Sequence, residues 1–314
     1  MTTLLSKDIG GYFGLELNPQ YDNIKDAVAL NSARNCLRYV IKAYGIKEIN
    51  LPQYTCPVVW QSVQKEGCKI KFYHIDKNFM PVCEFNENDF IVYTNYFGVC
   101  TKNVKELEKK YKNLVVDNAQ AFYTPKFGLA SFNSIRKFFG VPDGALLYCD
   151  KKLAASIEQG TSYQRFSHLL KRADVDAKFG YSDFVTNDDS LIDEDIKGLS
   201  NLTKAIFNSI DTKSAKLIRI KNFEYLTSEL KKMNELSLSL DTDDVPMVYP
   251  LVIKKDGLRA KLIKNNIYVA QYWSPIDSDS LESDFQKYLL PLPIDQRYNI
   301  NDMKRIVEVI NAKD

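Results

Sequence analysis

Short apolar runs alternate with helical patterns from residue 30 to 150, and this alternation restricts the possible fold more than any other feature. Apolar runs typical of buried strands occur at Ile49 to Leu51, Lys69 to Ile75, Phe90 to Asn95 and Leu114 to Val116. Helical patterns occur at Cys36 to Tyr44, Pro57 to Lys65 and Val104 to Lys112. Strands that alternate with helices at this spacing predict a mostly parallel sheet with helices on both faces.

Two of the apolar runs carry polar side chains at or near their ends. Asp117 directly follows the run Leu114 to Val116, and Gln120 follows shortly after it. The next run carries a further set of polar residues, namely Ser131, Ser134, Arg136 and Lys137. Because open α/β sheets bind ligands at the carboxyl ends of their strands, these side chains are expected to share one site.

A carboxylate at one strand end and a lysine at the next suit a pyridine-type cofactor. Asp117 would keep the ring nitrogen protonated, and the amine of Lys137 would form the Schiff base. The alternative interpretation is structural, because an Asp at a strand end often caps a turn and a Lys beside an Arg is usually solvated. These two residues alone leave both interpretations open.

Small and polar residues open the first predicted helix, where Ser32, Ala33 and Arg34 follow an apolar segment. The free N–H groups at a helix N-terminus, together with the helix dipole, favour an anion. The alternative is simple capping of the helix by Asn31 or Ser32. No Gly-rich phosphate-binding motif is present to decide between the two.

The composition excludes several classes of protein. Of the 314 residues, 45% are hydrophobic and 26% are charged, which is typical of a globular protein with a sizeable core. The 42 basic and 40 acidic residues give a net charge of +2, so neither nucleic acid nor a membrane is expected as a partner. We find no signal-peptide pattern or membrane-spanning run, and therefore expect a cytoplasmic protein.

The cysteines and histidines do not predict a metal site. None of the six cysteines forms a CxxC pair, and the two histidines lie far apart in the sequence. We therefore expect no metal, and we expect the cysteines to be small buried hydrophobes in a reducing cytosol.

The second half of the chain is less regular. Residues 151 to 200 are polar and predict a long loop region with one helix, and Asn201 to Lys232 predicts a long helical connector. The last part predicts strands and helices at Met247 to Ile253, Tyr268 to Gln271, Ser283 to Leu290 and Ile300 to Ala312. We therefore expect a large domain over residues 1–235 and a small α+β domain over residues 236–314. The aromatic segment Tyr268 to Trp273 is predicted as a small-domain strand, with lining of the interdomain cleft as the alternative.

Several segments, in the right order, resemble the DegT/StrS group of sugar aminotransferases. The segments are ALNSARNCLRYVIKAYGIKEINLPQYTCPVVWQSVQKEGCKIKFYHID, NYFG, VVDNAQA, SIRKFFGVPDGA, GLSNLTKAIF and LLPLPIDQRYNINDMKRIVEVI. They extend over most of the chain. The resemblance implies pyridoxal phosphate (PLP) fold type I, as in aspartate aminotransferase, with a mostly parallel central sheet and a smaller C-terminal α+β domain.

The resemblance also implies roles for individual residues. Asp117 would pair with the pyridine nitrogen of PLP, and Gln120 would lie beside the 3-hydroxyl of the ring. The groups that would bind the cofactor phosphate are Ser32, Ala33 and Arg34, with a hydroxyl from Ser131 or Ser134.

The Schiff-base lysine needs a choice between adjacent residues. Counting back from Asp143-Gly144-Ala145 places Lys137 at that position, whereas counting forward from Ser131-Phe132 places Arg136 there. Because arginine cannot form a Schiff base, we assign the role to Lys137, which requires one extra residue before it.

Two family features differ in this sequence. The family commonly stacks an aromatic ring on the cofactor after its Pro-x-x-Thr turn, but here Pro52-Gln53-Tyr54-Thr55 is followed by Cys56. Either Tyr54 or the thiol of Cys56 would cover the cofactor face. The Gly-Tyr-Asn-Tyr-Arg motif, which sends an Asn to the partner subunit's phosphate, has only a displaced counterpart, Gly180 to Phe184, without the Asn and Arg.

The function implied by the resemblance is a PLP-dependent aminotransferase in a homodimer. Its substrate would be a keto sugar, nucleotide-linked and destined for surface polysaccharide, and an amino acid would donate the nitrogen. Two alternatives remain open: a PLP-dependent sugar dehydratase, and a cofactor-free binding or regulatory protein on the same fold.

Overall fold

A computed structural model describes residues 9–273 and 280–312, and its central element is a seven-stranded sheet. The strands are β1 (Val28–Leu30), β2 (Glu48–Pro52), β3 (Lys69–Tyr73), β4 (Ile91–Thr94), β5 (Leu114–Asn118), β6 (Ala130–Asn133) and β7 (Ala145–Cys149). Their order across the sheet is β1-β7-β6-β5-β4-β2-β3. All neighbouring pairs are parallel except the two that involve β7. The predicted fold class is confirmed.

Apolar clusters cover both faces of this sheet. The helices in the first half of the chain are α1 (Ala33–Tyr44), α2 (Pro57–Lys65) and α3 (Thr101–Lys110). Val115 of β5 belongs to the cluster that contains α1 residues, and the adjacent Val116 belongs to the cluster that contains α3 residues. Successive strand residues therefore bury opposite faces, which explains why the central strands are apolar throughout.

The ends of α1 follow directly from the sequence. The Ser32 side chain accepts a hydrogen bond from the N–H of Asn35 and begins the helix, and Gly45 ends it with a φ of 66°. The buried face of α1 includes Cys36, Leu37 and Val40, which hold the helix against the sheet. As a result, the N-terminus of α1 has a fixed position next to the strand ends.

The segment 151 to 200 contains two α-helices, so the prediction of a single helix was wrong. They are α4 (Ser167–Asp174) and α5 (Tyr181–Ser190). Each buries one residue only, His168 in α4 and Asn187 in α5, so neither leaves a clear apolar period in the sequence. The predicted connector is also two helices, α6 (Asn201–Phe207) and α7 (Thr212–Leu230). The break between them comes where Asp211 caps α7.

The C-terminal part has a small antiparallel sheet of its own. Its elements are β8 (Val248–Val252), α8 (Leu258–Lys264), α9 (Leu281–Tyr288), β9 (Leu289–Pro293) and α10 (Ile300–Asn311). β8 pairs with β9, and an apolar cluster joins them to α7, α8 and α10. The strand predicted at Tyr268 to Gln271 is not formed, and the small sheet consists of β8 and β9. The boundary after residue 235 stays a prediction.

A search of the described residues, 9–273 and 280–312, finds no helix with the length and apolarity needed to cross a lipid bilayer.

Candidate functional site

A cavity of about 440 Å³ lies at the carboxyl ends of the parallel strands. Thr94 ends β4, Asp117 lies near the end of β5, and the turn after β6 supplies Lys137. The N-terminus of α1 forms one wall. A further wall comes from the segment after α8, with Tyr268, Ala270, Tyr272 and Trp273. The cavity is therefore at the position where an open α/β sheet binds its ligands.

Most of the predicted site residues meet in this cavity. Those that line it are Ser32, Ala33, Arg34, Cys56, Asp117, Gln120, Ser134 and Lys137. They come from segments far apart in the sequence, which the parallel sheet brings to one edge. Two of the predicted residues, Tyr54 and Ser131, are not in the lining.

Tyr54 lies in the hydrophobic core, so the prediction that it covers a cofactor face needs correction. Its ring is fully buried and stacks on Tyr96, with 5.9 Å between ring centroids. Its hydroxyl donates a hydrogen bond to the carbonyl of Tyr272 at 3.4 Å. Of the two alternatives from the sequence, the thiol of Cys56 is the one that reaches the cavity.

Ser131 points away from the cavity because side chains alternate along a strand. In β6 it is flanked by Ala130 and Phe132, and Phe132 lines the cavity. The Ser131 hydroxyl is buried without a hydrogen-bond partner among the described residues. Of the two candidate serines, only Ser134, which follows β6, is placed to contact a ligand.

Asp117 is a buried carboxylate with one oxygen engaged. Oδ1 accepts a hydrogen bond from the N–H of Ala119 at 2.8 Å. Burial raises the pKa of Asp117, while the nearby charge of Lys137 and the Ala119 N–H oppose this rise. The second carboxylate oxygen is the one left for a ligand.

Lys137 ends a 3-10 turn, Ile135–Lys137, immediately after β6. Its side chain lines the cavity and is exposed to solvent. Burial lowers the pKa of Lys137, and the charge of Arg136 lowers it further, against the opposing effects of Cys56 and Asp117. A lowered pKa increases the share of neutral amine, which is the nucleophilic form.

Gln120 presents an unsatisfied donor to the cavity. Its Oε1 accepts a hydrogen bond from the N–H of Phe97 at 2.9 Å, which fixes the orientation of the amide. Its Nε2 is buried without a partner among the described residues. A buried donor without an acceptor costs roughly 1–3 kcal/mol, so this amide is a position at which a bound ligand would restore the missing bond.

Two arginines in the cavity bind one carboxylate that the sequence did not single out. Arg34 Nη2 is 3.1 Å from Asp188 Oδ1, and Arg136 binds the same oxygen. Asp188 belongs to α5, within the segment predicted as a long loop. Asp188 lies in a run of acidic residues, and nothing in that run indicates that its side chain reaches the cavity.

The turn that carries Lys137 is held by the buried Arg219 and the half-buried Gln296 from the C-terminal half. The carbonyl of Phe138 accepts hydrogen bonds from Arg219 at 3.3 Å and from Gln296 at 2.7 Å. The Arg219 guanidinium also stacks on the Phe138 ring at 4.5 Å. These contacts fix the backbone next to the lysine and thereby support its position in the cavity.

Solved structures of similar fold provide functional information. DesV of S. venezuelae, solved in complex with a ketimine intermediate, is 16% identical with a TM-score of 0.65, over 92% of this chain and 85% of that chain. Helicobacter pylori PseC, an aminotransferase involved in pseudoaminic acid biosynthesis, is 15% identical with a TM-score of 0.63, over 91% and 86%.

A third solved structure is the PLP form of the putative sugar aminotransferase Spr1654 of Streptococcus pneumoniae. It is 12% identical with a TM-score of 0.62, over 92% of this chain and 87% of that chain. The fold is that of the DegT/StrS sugar aminotransferases. The resemblance seen in the sequence motifs therefore extends to the three-dimensional arrangement of nearly the whole chain.

No protein-family model matches this sequence, and a search of curated protein sequences finds no match.

Proposed function

We propose that this protein is a PLP-dependent aminotransferase that converts a keto sugar to an amino sugar, with nitrogen from an amino-acid donor. The observation that carries the proposal is the meeting of three groups in one cavity. They are the amine of Lys137, the buried carboxylate of Asp117 and Nε2 of Gln120, which has no partner among the described residues. The putative sugar aminotransferase Spr1654, which has the same fold, has been solved in PLP and PMP forms, which supports this choice of cofactor.

The cavity residues match the polar groups of PLP. The free oxygen of Asp117 suits a basic ring nitrogen, and Nε2 of Gln120 suits the ring hydroxyl as a donor. The N-terminus of α1 and the guanidinium of Arg34 suit the phosphate. When bound, PLP supplies an electron sink for bond breaking beside an amine.

Lys137 acts both as the nucleophile that holds the cofactor and as the base that moves protons. Its depressed pKa keeps more of the amine neutral near neutral pH than for an ordinary lysine. A neutral amine accepts a proton, and the resulting ammonium returns it to a neighbouring atom. The contacts of Arg219 and Gln296 with Phe138 keep the Lys137 turn in place during these transfers.

Asp117 stabilises positive charge on the group that it faces. Its buried position makes the carboxylate a stronger base than an ordinary aspartate, as the raised pKa indicates. A stronger base holds the proton of a ring nitrogen more firmly. The hydrogen bond from Ala119 keeps the other oxygen fixed, so the free oxygen faces the ligand in one orientation.

The aromatic wall of the cavity supports a sugar substrate. Tyr272 and Trp273 line the same cavity as Lys137, and the centroids of their rings are 5.1 Å apart. Flat apolar rings with polar edges suit the apolar face of a sugar or the base of a nucleotide. We therefore keep a nucleotide-linked keto sugar, destined for surface polysaccharide, as the proposed substrate.

The proposed assembly is a homodimer in which the second copy covers the segment around α4 and α5. Several large apolar side chains there are exposed, namely Leu170 at 65%, Val175 at 59%, Phe179 at 56% and Tyr181 at 64%. Grouped apolar exposure of this kind is typical of an interaction surface. Two-fold homodimers are the commonest soluble assembly.

The test of the function is a half-reaction with PLP-loaded protein. Adding glutamate or glutamine is expected to convert the bound PLP to its amine form, seen as a loss of absorbance near the visible edge. Adding a nucleotide-linked keto sugar is then expected to restore the absorbance and yield an aminated sugar detectable by mass. Binding of PLP without this amino transfer favours the dehydratase, and no PLP absorbance at all favours the cofactor-free binding protein.

A further inference from the structure

Two guanidinium groups in the cavity converge on one internal carboxylate oxygen. Arg34 Nη2 lies 3.1 Å from Asp188 Oδ1, and Arg136 binds the same oxygen. Arg34 Nη1 also donates to the backbone carbonyl of Asp188 at 3.2 Å. The side chains of Arg34 and Arg136 are only 9% and 18% exposed, so both cations lie largely out of water.

The arginine pair has the chemistry of an anion site. Guanidinium forks match the geometry of phosphate and carboxylate oxygens, and two adjacent cations repel each other unless an anion lies between them. Arg34 lies in the first turn of α1, whose free N–H groups and dipole add to the positive potential. Lys137, next to Arg136, lines the same cavity.

The anion that fills this place in the structure comes from a lightly anchored helix. In α5 only Asn187 is buried, and its amide donates to the carbonyl of Pro142 at 2.8 Å. Phe184 of the same helix is 43% exposed and lines the cavity. Segments with few buried contacts open at low free-energy cost, so α5 is able to withdraw Asp188 from the arginines.

We propose that Asp188 is a displaceable internal counter-ion, and that Arg34 and Arg136 together bind the phosphate group of a ligand that takes its place. This inference rests on the proposed function, which supplies two sources of phosphate: the cofactor and a nucleotide-linked substrate. The apparent affinity of the protein for the phosphate ligand is lowered, because the ligand must compete with Asp188 for the arginines. The helix α5 thereby adjusts how tightly the cavity holds its phosphate ligand.

The direct test is titration of the full-length protein with inorganic phosphate at constant ionic strength. Asp188→Asn keeps the shape of the side chain but removes the competing charge, so it is expected to bind phosphate about tenfold more tightly than the wild type. Asp189→Asn is the matched control, since it removes the same charge from the next, exposed residue of α5. Its affinity is expected to equal that of the wild type.

A double variant tests whether the tighter phosphate binding of Asp188→Asn depends on the arginines. Arg136→Gln in the Asp188→Asn background is expected to abolish the tenfold improvement. The proposal is overturned if Asp188→Asn binds phosphate no more tightly than the wild type, or if the double variant keeps the improvement.

A measurement on the wild type covers the case in which Asp188→Asn does not fold. Saturating inorganic phosphate is expected to accelerate hydrogen exchange of the amides in residues 181–190, because Asp188 is released. Unchanged or slower exchange in these residues contradicts the displacement.

Two further titrations distinguish the sources of the phosphate. If the cofactor supplies it, Asp188→Asn improves binding of PLP but not of phosphate-free pyridoxal. If the substrate supplies it, the improvement appears for a nucleoside diphosphate added to PLP-saturated protein. An equal gain for pyridoxal overturns the proposal. These titrations measure binding alone, so a protein that shows the exchange but transfers no amino group refutes the proposed function and leaves this inference standing.

Discussion

The negative charge of Asp117 is the only property of this residue that the proposed chemistry uses, so removing the charge tests the chemistry directly. In Asp117→Asn the hydrogen bond from Ala119 is retained, whereas the negative charge beside the ring nitrogen is lost. We expect PLP binding to persist and turnover to fall on the order of 10³-fold, the scale of losing one preorganised charge-stabilising group. Steady-state kinetics at saturating PLP measure this, with the exposed Asp150→Asn as control. Near-normal turnover in Asp117→Asn removes Asp117 from the mechanism.

The buried carboxyl of Asp143 is expected to make the stability of the protein depend on pH. Burial raises the pKa of Asp143 to about 6, against a hydrogen bond donated by the Thr203 hydroxyl at 2.5 Å. Its folded-state pKa lies above its unfolded value, so the folded protein binds more protons and the free energy of unfolding falls as pH rises toward 6.

Asp143→Asn has no carboxylate to ionise, so this part of the pH dependence is expected to disappear. The stability of the variant relative to the wild type should rise by about 1 kcal/mol between pH 5 and pH 8. Urea unfolding at the two pH values measures it. A difference between variant and wild type that does not change with pH contradicts the buried-acid account.

At the element scale, the turn after β4 controls the Gln120 side of the cavity. Gly98 has a φ of 71°, and a Cβ there would lie 2.5 Å from the Val245 carbonyl and 2.8 Å from the Gln120 carbonyl. Gly98→Ala therefore combines backbone strain with a clash against rigid backbone atoms. We expect a loss of roughly 2–4 kcal/mol in unfolding free energy, measured by chemical denaturation. Gly140→Ala is the control, because a Cβ there meets no atom within 4 Å.

The sequence predicts those elements whose pattern reflects burial. The apolar strands and the polar residues at their ends predicted that Asp117, Gln120 and Lys137 share one site, and the three residues line one cavity because the parallel sheet determines where strand ends lie. The two helices of segment 151 to 200 bury few side chains, so their sequence lacks a helical period. The contact of Asp188 with the arginines depends on how α5 lies across the cavity, which local patterns do not encode.

The two aromatic assignments failed for a related reason. Tyr54 and the segment Tyr268 to Trp273 have equally apolar sequences, and their composition does not show which of them reaches the cavity. Tyr54 stacks on Tyr96 in the core and packs on Phe285, with 5.6 Å between the ring centroids. The later segment is not a strand of the β8-β9 sheet and lines the cavity instead.

For the whole molecule, the exposed apolar surface around α4 and α5 predicts the assembly. Phe179→Asp places a charge on this surface and is expected to shift the proposed dimer toward monomer, with at least about a tenfold weaker dimer. Light scattering over a dilution series measures it. Val82→Asp is the control, since Val82 is 61% exposed elsewhere on the chain. A wild type that remains monomeric at micromolar concentration contradicts the proposed dimer.

The central claim is that this fold holds PLP through Lys137. The most direct measurement is borohydride reduction of the PLP-loaded protein, followed by proteolysis and mass spectrometry of the labelled peptide. The PLP adduct is expected on the peptide that contains Lys137, and the Lys137→Ala variant, folded by circular dichroism, is expected to carry none. An adduct on a different lysine, or no adduct after saturation with PLP, would contradict the claim.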